Sequence, residues 1–559
     1  MRVRSNPLTR LAPWALGVAL AVPLSIVYLL TRPPSADLAA ATYRSDLFSR
    51  DGFTLWDNGW YGGHHLPGYS VLAPALGALI TPRGCLAVAG VIASGLFGAL
   101  AARGFPDNAA RAATAWFAIG FAVELVSGRV PYDLGVAVGL AALLALAPTV
   151  EGGEPAVFAP SARSPFIARA ARHRRSGPRR AGTVAALSLA VVTALISPVT
   201  GAFLALAGVA VALATPARGR GLAFAVAALV PVVLLQIAFP EGGYEPFAPS
   251  AFWPALAATV VVTVLFAREG RRLLATGAGL YALALVLCFA THTAVGGNVA
   301  RLGPLVAGPL LVGALWTERA RVMAVAVPLL LYWSVIAPVR DLSELVGDPS
   351  VHAAYYQPLL GELALRAHGR PLRVEVPLTA AHWEADYVAE RFSLARGWER
   401  QLDTHYAGVF YGPTLSPAAY RAWLGDNAVA YVAVPDVRLD HAGSAEAALV
   451  RGGLPYLVLV WRSTHWRLYA VRHPTPLASP PAALTALGSD SFTLAMARAA
   501  RVVVRVRYTP YWAIVGGRGC VGPATGGWTA VSTPVPGPVA VGIRFALSRV
   551  RAHQSRCDG

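Results

Sequence analysis

An α-helical polytopic membrane fold that carries a folded domain outside the bilayer is what this sequence predicts, and three observations predict it. The mean hydropathy is +0.52, with 55% hydrophobic and only 14% charged residues, roughly half the charged share of an ordinary soluble domain. Apolar runs of spanning length recur as far as Pro338. From Val339 onward they give way to short β-branched stretches separated by Gly and Pro. A soluble enzyme and a disordered chain are thereby excluded.

The formal net charge of +18 would point to nucleic acid in a polar chain. Here much of it lies in short bridges between apolar runs, so it is a topology signal and no nucleic-acid partner is expected. All 47 basic residues are Arg, a trait of GC-rich genomes that says nothing about mechanism.

The first run extends from Ala12 to Thr31. No small-residue cleavage motif follows it and further spans do, so it reads as a helix and not as a signal peptide. Further runs cover residues 85–102, 111–127, 132–148, 182–197, 200–215, 221–239, 251–267, 273–290, 303–317 and 321–338, making eleven spans. The stretch from Gly68 to Pro82 is also apolar, but it is short and is interrupted by Pro74. It is expected to be an interfacial helix. With that assignment the Arg-bearing N-terminus and the Arg clusters at 103–111, 163–180, 218–220, 268–272 and 319–321 all fall on one side. If 68–82 crossed, the seven Arg of 163–180 would lie on the other. The expected topology is a multi-pass protein of the plasma (inner) membrane, N-terminus cytoplasmic and C-terminus outside.

The outer part divides by pattern. Residues 339–479 mix LRVEVPL, NAVAYVAVP, PYLVLVWRS and HWRLYAVRH strands with a helix expected over ADYVAERFSLARGWERQL, giving an α/β domain. Residues 480–559 give a β-rich, sandwich-like unit from ARVVVRVRYTPYWAIV, GWTAVSTPVPG and PVAVGIRFAL. Cys85 and Cys288 lie in apolar runs, whereas Cys520 and Cys557 lie in the polar tail, where an oxidising compartment makes a Cys520–Cys557 bridge reasonable.

The first outer loop, 32–68, is the most unusual segment. It holds Asp37, Asp46, Asp51 and Asp57 among aromatics, and the pattern from Asp37 to Asp46 is helical. That keeps Asp37 near the lipid headgroups, where a carboxylate can take a proton from a hydroxyl or bind a metal beside a phosphate. An ordinary solvated loop is the bland alternative. The WDNGWYGGHHLP stretch offers Trp56, Tyr61, His64 and His65 as a substrate face. As a metal site the His pair is disfavoured, because adjacent residues rarely ligate one ion.

At these residues the chain resembles the GT-C class of polyprenyl-phosphate-sugar-dependent glycosyltransferases. Asp37, Asp46, Gly52 and the LPGYSVL run at 66–72 stand where that class has its first-loop acids, a Gly and the Pro-containing entry to an interfacial helix. The likeness covers roughly residues 10–150, and the later spans match only in layout. It implies a GT-C-like core over residues 1–338, with Asp37 as catalytic carboxylate, Asp46 as its second acid, and Asp133 in SGRVPYDLGVAVG as the acid at the outer end of the fourth span. A helix cap explains Asp133 equally well. Arg129 lies four residues earlier, positioned for a phosphate or for Asp133, and pairing with Arg129 accounts for Glu124.

In THTAVGGNVARLGPL at 291–305, His292, Asn298 and Arg301 are expected to bind the donor phosphate, with the Gly-Gly pair admitting a ligand to the backbone. A snorkelling anchor is the rival explanation of Arg301. The implied activity is inverting transfer of a sugar from a polyprenyl-phosphate donor, in the lipid bilayer, to an envelope glycan, lipid or protein acceptor. No cofactor is certain, and a divalent metal, Mg or Mn, is left open. The alternatives are a transporter or flippase of envelope precursors, for which an internal repeat is missing, and a noncatalytic envelope-assembly protein.

Overall fold

The structure, a computed structural model, describes residues 11–150, 179–316 and 320–550. The Arg-rich 163–180 loop therefore lies almost wholly outside the described residues, as does Cys557. Cys85 and Cys288 are free thiols, and Cys520 is in a disulfide.

The helices run in chain order as α1 (Pro13–Thr31), α2 (Asp37–Asp51), α3 (Ala73–Ile80), α4 (Pro82–Gly104), α5 (Asp107–Glu124), α6 (Val130–Val150), α7 (Arg179–Ile196), α8 (Pro198–Ala214), α9 (Arg218–Ala238), α10 (Pro249–Arg268), α11 (Arg272–Ala290), α12 (Leu302–Leu315) and α13 (Ala320–Leu345). Among the described residues nine helices are long and apolar enough to cross a membrane, and Arg180–Ile196 and Pro198–Ala214 are two shorter apolar ones. Every one of the expected runs is thus a helix.

The chain splits into two compact units. The first comprises residues up to Pro33, Tyr69–Leu234 and Glu245–Ser343. Within it α1 and α4 lie antiparallel. Ser25 Oγ donates to the carbonyl of Ala87 at 3.2 Å, a Cβ on Gly17 would strike the carbonyl of Ser94, and one on Gly98 would strike the backbone of Pro13. Small residues let the two backbones meet where no water rewards apolar contact. Antiparallel packing also means that residues 32 and 81 stand at the same end of the α1–α4 pair. Helix α3, in the apolar 68–82 stretch, has only 8 residues, about 12 Å of rise.

The second unit comprises Pro34–Gly68, Leu235–Tyr244 and Glu344–Gly559, so the first long loop folds with the C-terminal chain. Its α/β part is a five-stranded sheet in the order β4 (Ser393–Leu394), β3 (Arg373–Glu375), β5 (Val429–Pro435), β7 (Trp466–Val471), β6 (Leu457–Arg462). β3 is parallel to both its neighbours, and β7 is antiparallel to both of its own. The β-rich part has an antiparallel four-stranded sheet, β11 (Trp512–Gly516), β14 (Gly537–Ile543), β9 (Ser491–Met496), β8 (Ala482–Leu487), and a three-stranded one, β10 (Ala500–Arg507), β13 (Trp528–Thr533), β12 (Cys520–Pro523). Val502, Val504, Val531, Phe492, Leu494 and Val541 form its buried core, alternating with outward residues as a one-sided strand requires.

The long helix expected over 385–402 does not form. Only Glu384–Tyr387 and Arg400–Tyr406 are helical, and Ser393–Leu394 forms a strand. The charges there are not a solvated face. Arg396 is buried and binds Asp403 through two nitrogens at 2.9 and 2.5 Å and Glu446 at 3.1 Å, with Glu375 at 4.0 Å. Burial pushes Glu446 up to about 7 and raises Glu375 as well. A continuous helix would not let Arg396 reach Asp403 while Leu394 pairs with β3, so tertiary demand overrides the local pattern.

Candidate active site

In the membrane unit the polar residues gather at the N-terminal ends of α6 and α12. Asp133 is 0% exposed, in the first turn of α6. Neither of its carboxylate oxygens has a hydrogen-bond partner. The helix-cap explanation therefore fails. Asp133 sits inside the turn and its carboxylate reaches none of the free amides. The charged groups around it are Glu124, Arg129 and Arg301. Arg129 pairs with Glu124 at 2.9 Å and approaches Asp341 at 3.9 Å. Leaving a buried carboxylate without a donor is costly, and such groups mark functional positions in membrane helices.

Arg301 closes a short 3-10 helix, Gly296–Arg301, that leads into α12. Its guanidinium carbon lies 6.0 Å from the ring centre of Tyr132. His292 is exposed at the end of α11, whereas Asn298 is 8% exposed within the 3-10 helix. The Gly-Gly pair admits protein, not a ligand. Gly296 has φ of +39°, a Cβ there would strike Glu245, and one on Gly297 would strike the carbonyl of Pro246. Glu245 N donates to the Thr293 carbonyl at 3.0 Å, so the chain's own 245–247 segment fills the approach.

From this end an apolar cavity of about 370 Å³ runs among the spans. Gly135, Val136, Leu302 and Gly303 line it, following Asp133 and Arg301 in the chain, and it continues along Phe203, Leu274 and Ala278. Among the described residues, Tyr281 and the two threonines Thr200 and Thr259 are its only lining residues with side-chain polar atoms.

In the second unit, α2 begins at Asp37 and is closed by Gly52 at φ of +73°. Asp37 is half-buried at its first turn and Asp46 is exposed. Nine residues on one helix amount to about 900° of rotation and about 13.5 Å of rise, so the two carboxylates point from opposite faces. The helix does not bring them together, and they cannot hold one metal ion jointly. Among the described residues no group of three His, Cys, Asp or Glu is arranged to hold one. Partial desolvation still raises the Asp46 carboxyl, opposed by Arg50 and reinforced by Glu390.

The C-terminal chain holds the loop in place. Trp383 Nε1 donates to the Ser35 carbonyl at 3.2 Å, two residues before Asp37. Arg44 pairs with Glu399 at 2.5 Å, and Trp60 Nε1 donates to the Ala385 carbonyl at 2.8 Å. The four residues expected to face substrate pack inward instead, with Trp56, Tyr61, His64 and His65 at 2%, 0%, 0% and 6% exposure. His64 stacks on Trp60, and burial together with Arg44 holds it well below the usual imidazole range. His65 Nε2 shares a hydrogen bond with Thr509 Oγ1 at 2.9 Å, its backbone N donates to Glu241, and its Nδ1 lies 2.6 Å from the same carboxylate. Asp57 accepts from the Tyr43 hydroxyl at 3.0 Å and from Gly59 N at 2.9 Å, yet burial pushes it up to about 6. Trp383, Arg44, Tyr132 and Tyr281 are absent from the sequence reading. Nothing in their local sequence separates them from ordinary packing residues.

No family model matches the chain, and no curated protein does. Among solved structures it is similar to two particle classes of a mutant arabinofuranosyltransferase AftD from Mycobacteria, at 15% and 17% identity and a TM-score of 0.45 for each. These alignments cover 83% and 82% of this chain but 42% and 41% of AftD, so the chain spans less than half the length of those proteins. It is also similar to the archaeal oligosaccharyltransferase AglB from Archaeoglobus fulgidus, solved with an inhibitory peptide and a dolichol-phosphate, at 11% identity and a TM-score of 0.47 over 76% of this chain and 69% of that one.

Proposed function

We propose that this protein is a multi-pass membrane glycosyltransferase that moves a sugar from a polyprenyl phosphate to an envelope glycan, lipid or protein acceptor outside the plasma membrane. The observation that carries the reading is Asp133, buried without a hydrogen-bond donor beside Arg129 and Arg301, with Asp133 two residues before Gly135 and Arg301 one before Leu302, both of which line the apolar cavity. A lipid-linked phosphate needs both halves of that arrangement, cations for its head and a dry apolar channel for its tail.

Arg301 and Arg129 hold the leaving phosphate, whose negative charge grows as the bond to the anomeric carbon breaks. Fixed cations away from water stabilise that charge strongly. On the acceptor side Asp37 takes the proton of the attacking hydroxyl, in a single displacement that inverts the anomeric centre.

The test is mass spectrometry of envelope glycans and polyprenyl-phosphate sugars from a deletion strain. It is complemented at matched expression with wild type, Asp37→Asn, or Asp133→Asn. Loss of one sugar modification with build-up of its lipid donor, restored by wild type alone, is expected. Full restoration by both variants would remove the catalytic assignment.

A further inference from the structure

The junction between the 3-10 helix Gly296–Arg301 and α12 is braced by two tyrosines from other helices. Tyr132, on α6, donates its hydroxyl to the carbonyl of Arg301 at 3.1 Å. Tyr281, on α11, donates to the carbonyl of Val299 at 2.9 Å, and the same oxygen accepts from Gly303 N at 3.1 Å. Both side chains are buried, at 2% and 5% exposure. A change of helix type leaves backbone groups without regular partners. In an apolar span each of these must find one elsewhere. These three bonds fall on residues 299, 301 and 303, centred on Arg301. The Tyr132 ring also lies under the Arg301 guanidinium, within reach of a cation–π contact.

We infer that Tyr132 and Tyr281 are positioning residues that fix Arg301 for the phosphate of the lipid donor. The inference rests on the proposed donor site and adds what holds it. A long Arg side chain loses considerable freedom when it must meet one phosphate, and a fixed backbone with an aromatic floor reduces that loss before the donor arrives. Tyr281 also lines the apolar cavity, so the same side chain borders the tail and braces the residue for the head.

The experiment measures binding of polyprenyl phosphate and of the corresponding polyprenol, which lacks the phosphate, to the full-length protein in nanodiscs. The variants are Tyr132→Phe, Tyr281→Phe, Arg301→Gln and the Tyr132→Phe/Arg301→Gln pair. Tyr132→Phe keeps the ring and removes one backbone anchor. It is expected to weaken polyprenyl phosphate about fivefold to tenfold, the scale of one hydrogen bond, while leaving polyprenol binding unchanged. In the Arg301→Gln background it should cost nothing more. Equal weakening of phosphate and alcohol, or full additivity with Arg301→Gln, would reduce the tyrosines to structural packing. If Arg301→Gln itself leaves phosphate binding intact, the donor site is what fails.

Discussion

Arg44 and Glu399 stand 355 positions apart and meet as an ion pair at 2.5 Å, with side-chain exposures of 2% and 14%. The pair ties helix α2, and with it Asp37, to the C-terminal chain. Removing one member leaves the other charge in a poor environment, a loss of about 3 to 5 kcal/mol. Arg44→Ala should therefore lower the thermal unfolding midpoint of the second unit, followed by tryptophan fluorescence in detergent. The paired change Arg44→Met with Glu399→Leu should recover most of the loss, and an unchanged midpoint in Arg44→Ala would show that the contact contributes little.

Asp57 sets a pH dependence whose sign follows from its surroundings. Its folded-state value, about 6, is raised above the unfolded one by burial, so the folded form holds its proton longer. Stability is lost as pH rises from about 4 to about 6, by about 3 kcal/mol, and is level above that. The neighbouring His64 is depressed and opposes this below about pH 6.5, where the unfolded imidazole charges first. Comparing wild type with Asp57→Asn isolates the carboxyl term. Unfolding midpoints of the two should diverge across that window, and parallel curves would refute it.

The α1–α4 contact depends on the absence of side chains. At Gly98 a Cβ would meet the backbone of Pro13, whereas at Gly120 the nearest atom lies 3.9 Å away. Gly98→Val should destabilise the membrane unit by about 1 to 3 kcal/mol through overpacking. Gly120→Ala should be neutral. Detergent-resistant folded yield, measured by size-exclusion chromatography, separates them, and equal yields would contradict the close approach.

The cavity should discriminate by tail length. Ala278→Trp places a large ring among Leu274, Phe203 and Leu206, all of which line it. A donor with a full polyprenyl tail is expected to show a KM raised at least about tenfold, the loss of roughly two buried methylene groups' worth of contact. A short-tailed analogue should be unaffected. If both respond equally, the tail does not lie there.

The membrane helices were legible because an apolar run of spanning length has few alternatives. β5, β6, β7, β10 and β14 were legible too, since runs such as VAYVAVP and RVVVRVR resist a helical reading. The stretch from Ala385 to Leu402 was not, because its meaning lies in Glu375 and Glu446, which reach Arg396 only after folding. Among the site residues, the acidic first loop stood out as unusual, and its helix starts at Asp37 as the pattern predicted. That Trp56, Tyr61, His64 and His65 pack inward could not be read, because exposed and buried aromatics look alike in a loop. The bracing of Arg301 was equally hidden, since a Tyr hydroxyl bonded to a distant carbonyl leaves no trace in spacing.

The second unit joins Pro34–Gly68 to the short segment Leu235–Tyr244 and to a long chain that begins at Glu344. Arg507 Nε donates to the carbonyl of Tyr61, 446 positions earlier. At ribosomal speeds of about 5 to 20 residues per second, the loop waits roughly 20 to 90 s for that partner. During that interval the acidic loop has been made, but the chain that shapes it has not. A half-made molecule thus carries Asp37 without the frame around it, and that frame is complete only with the last strands.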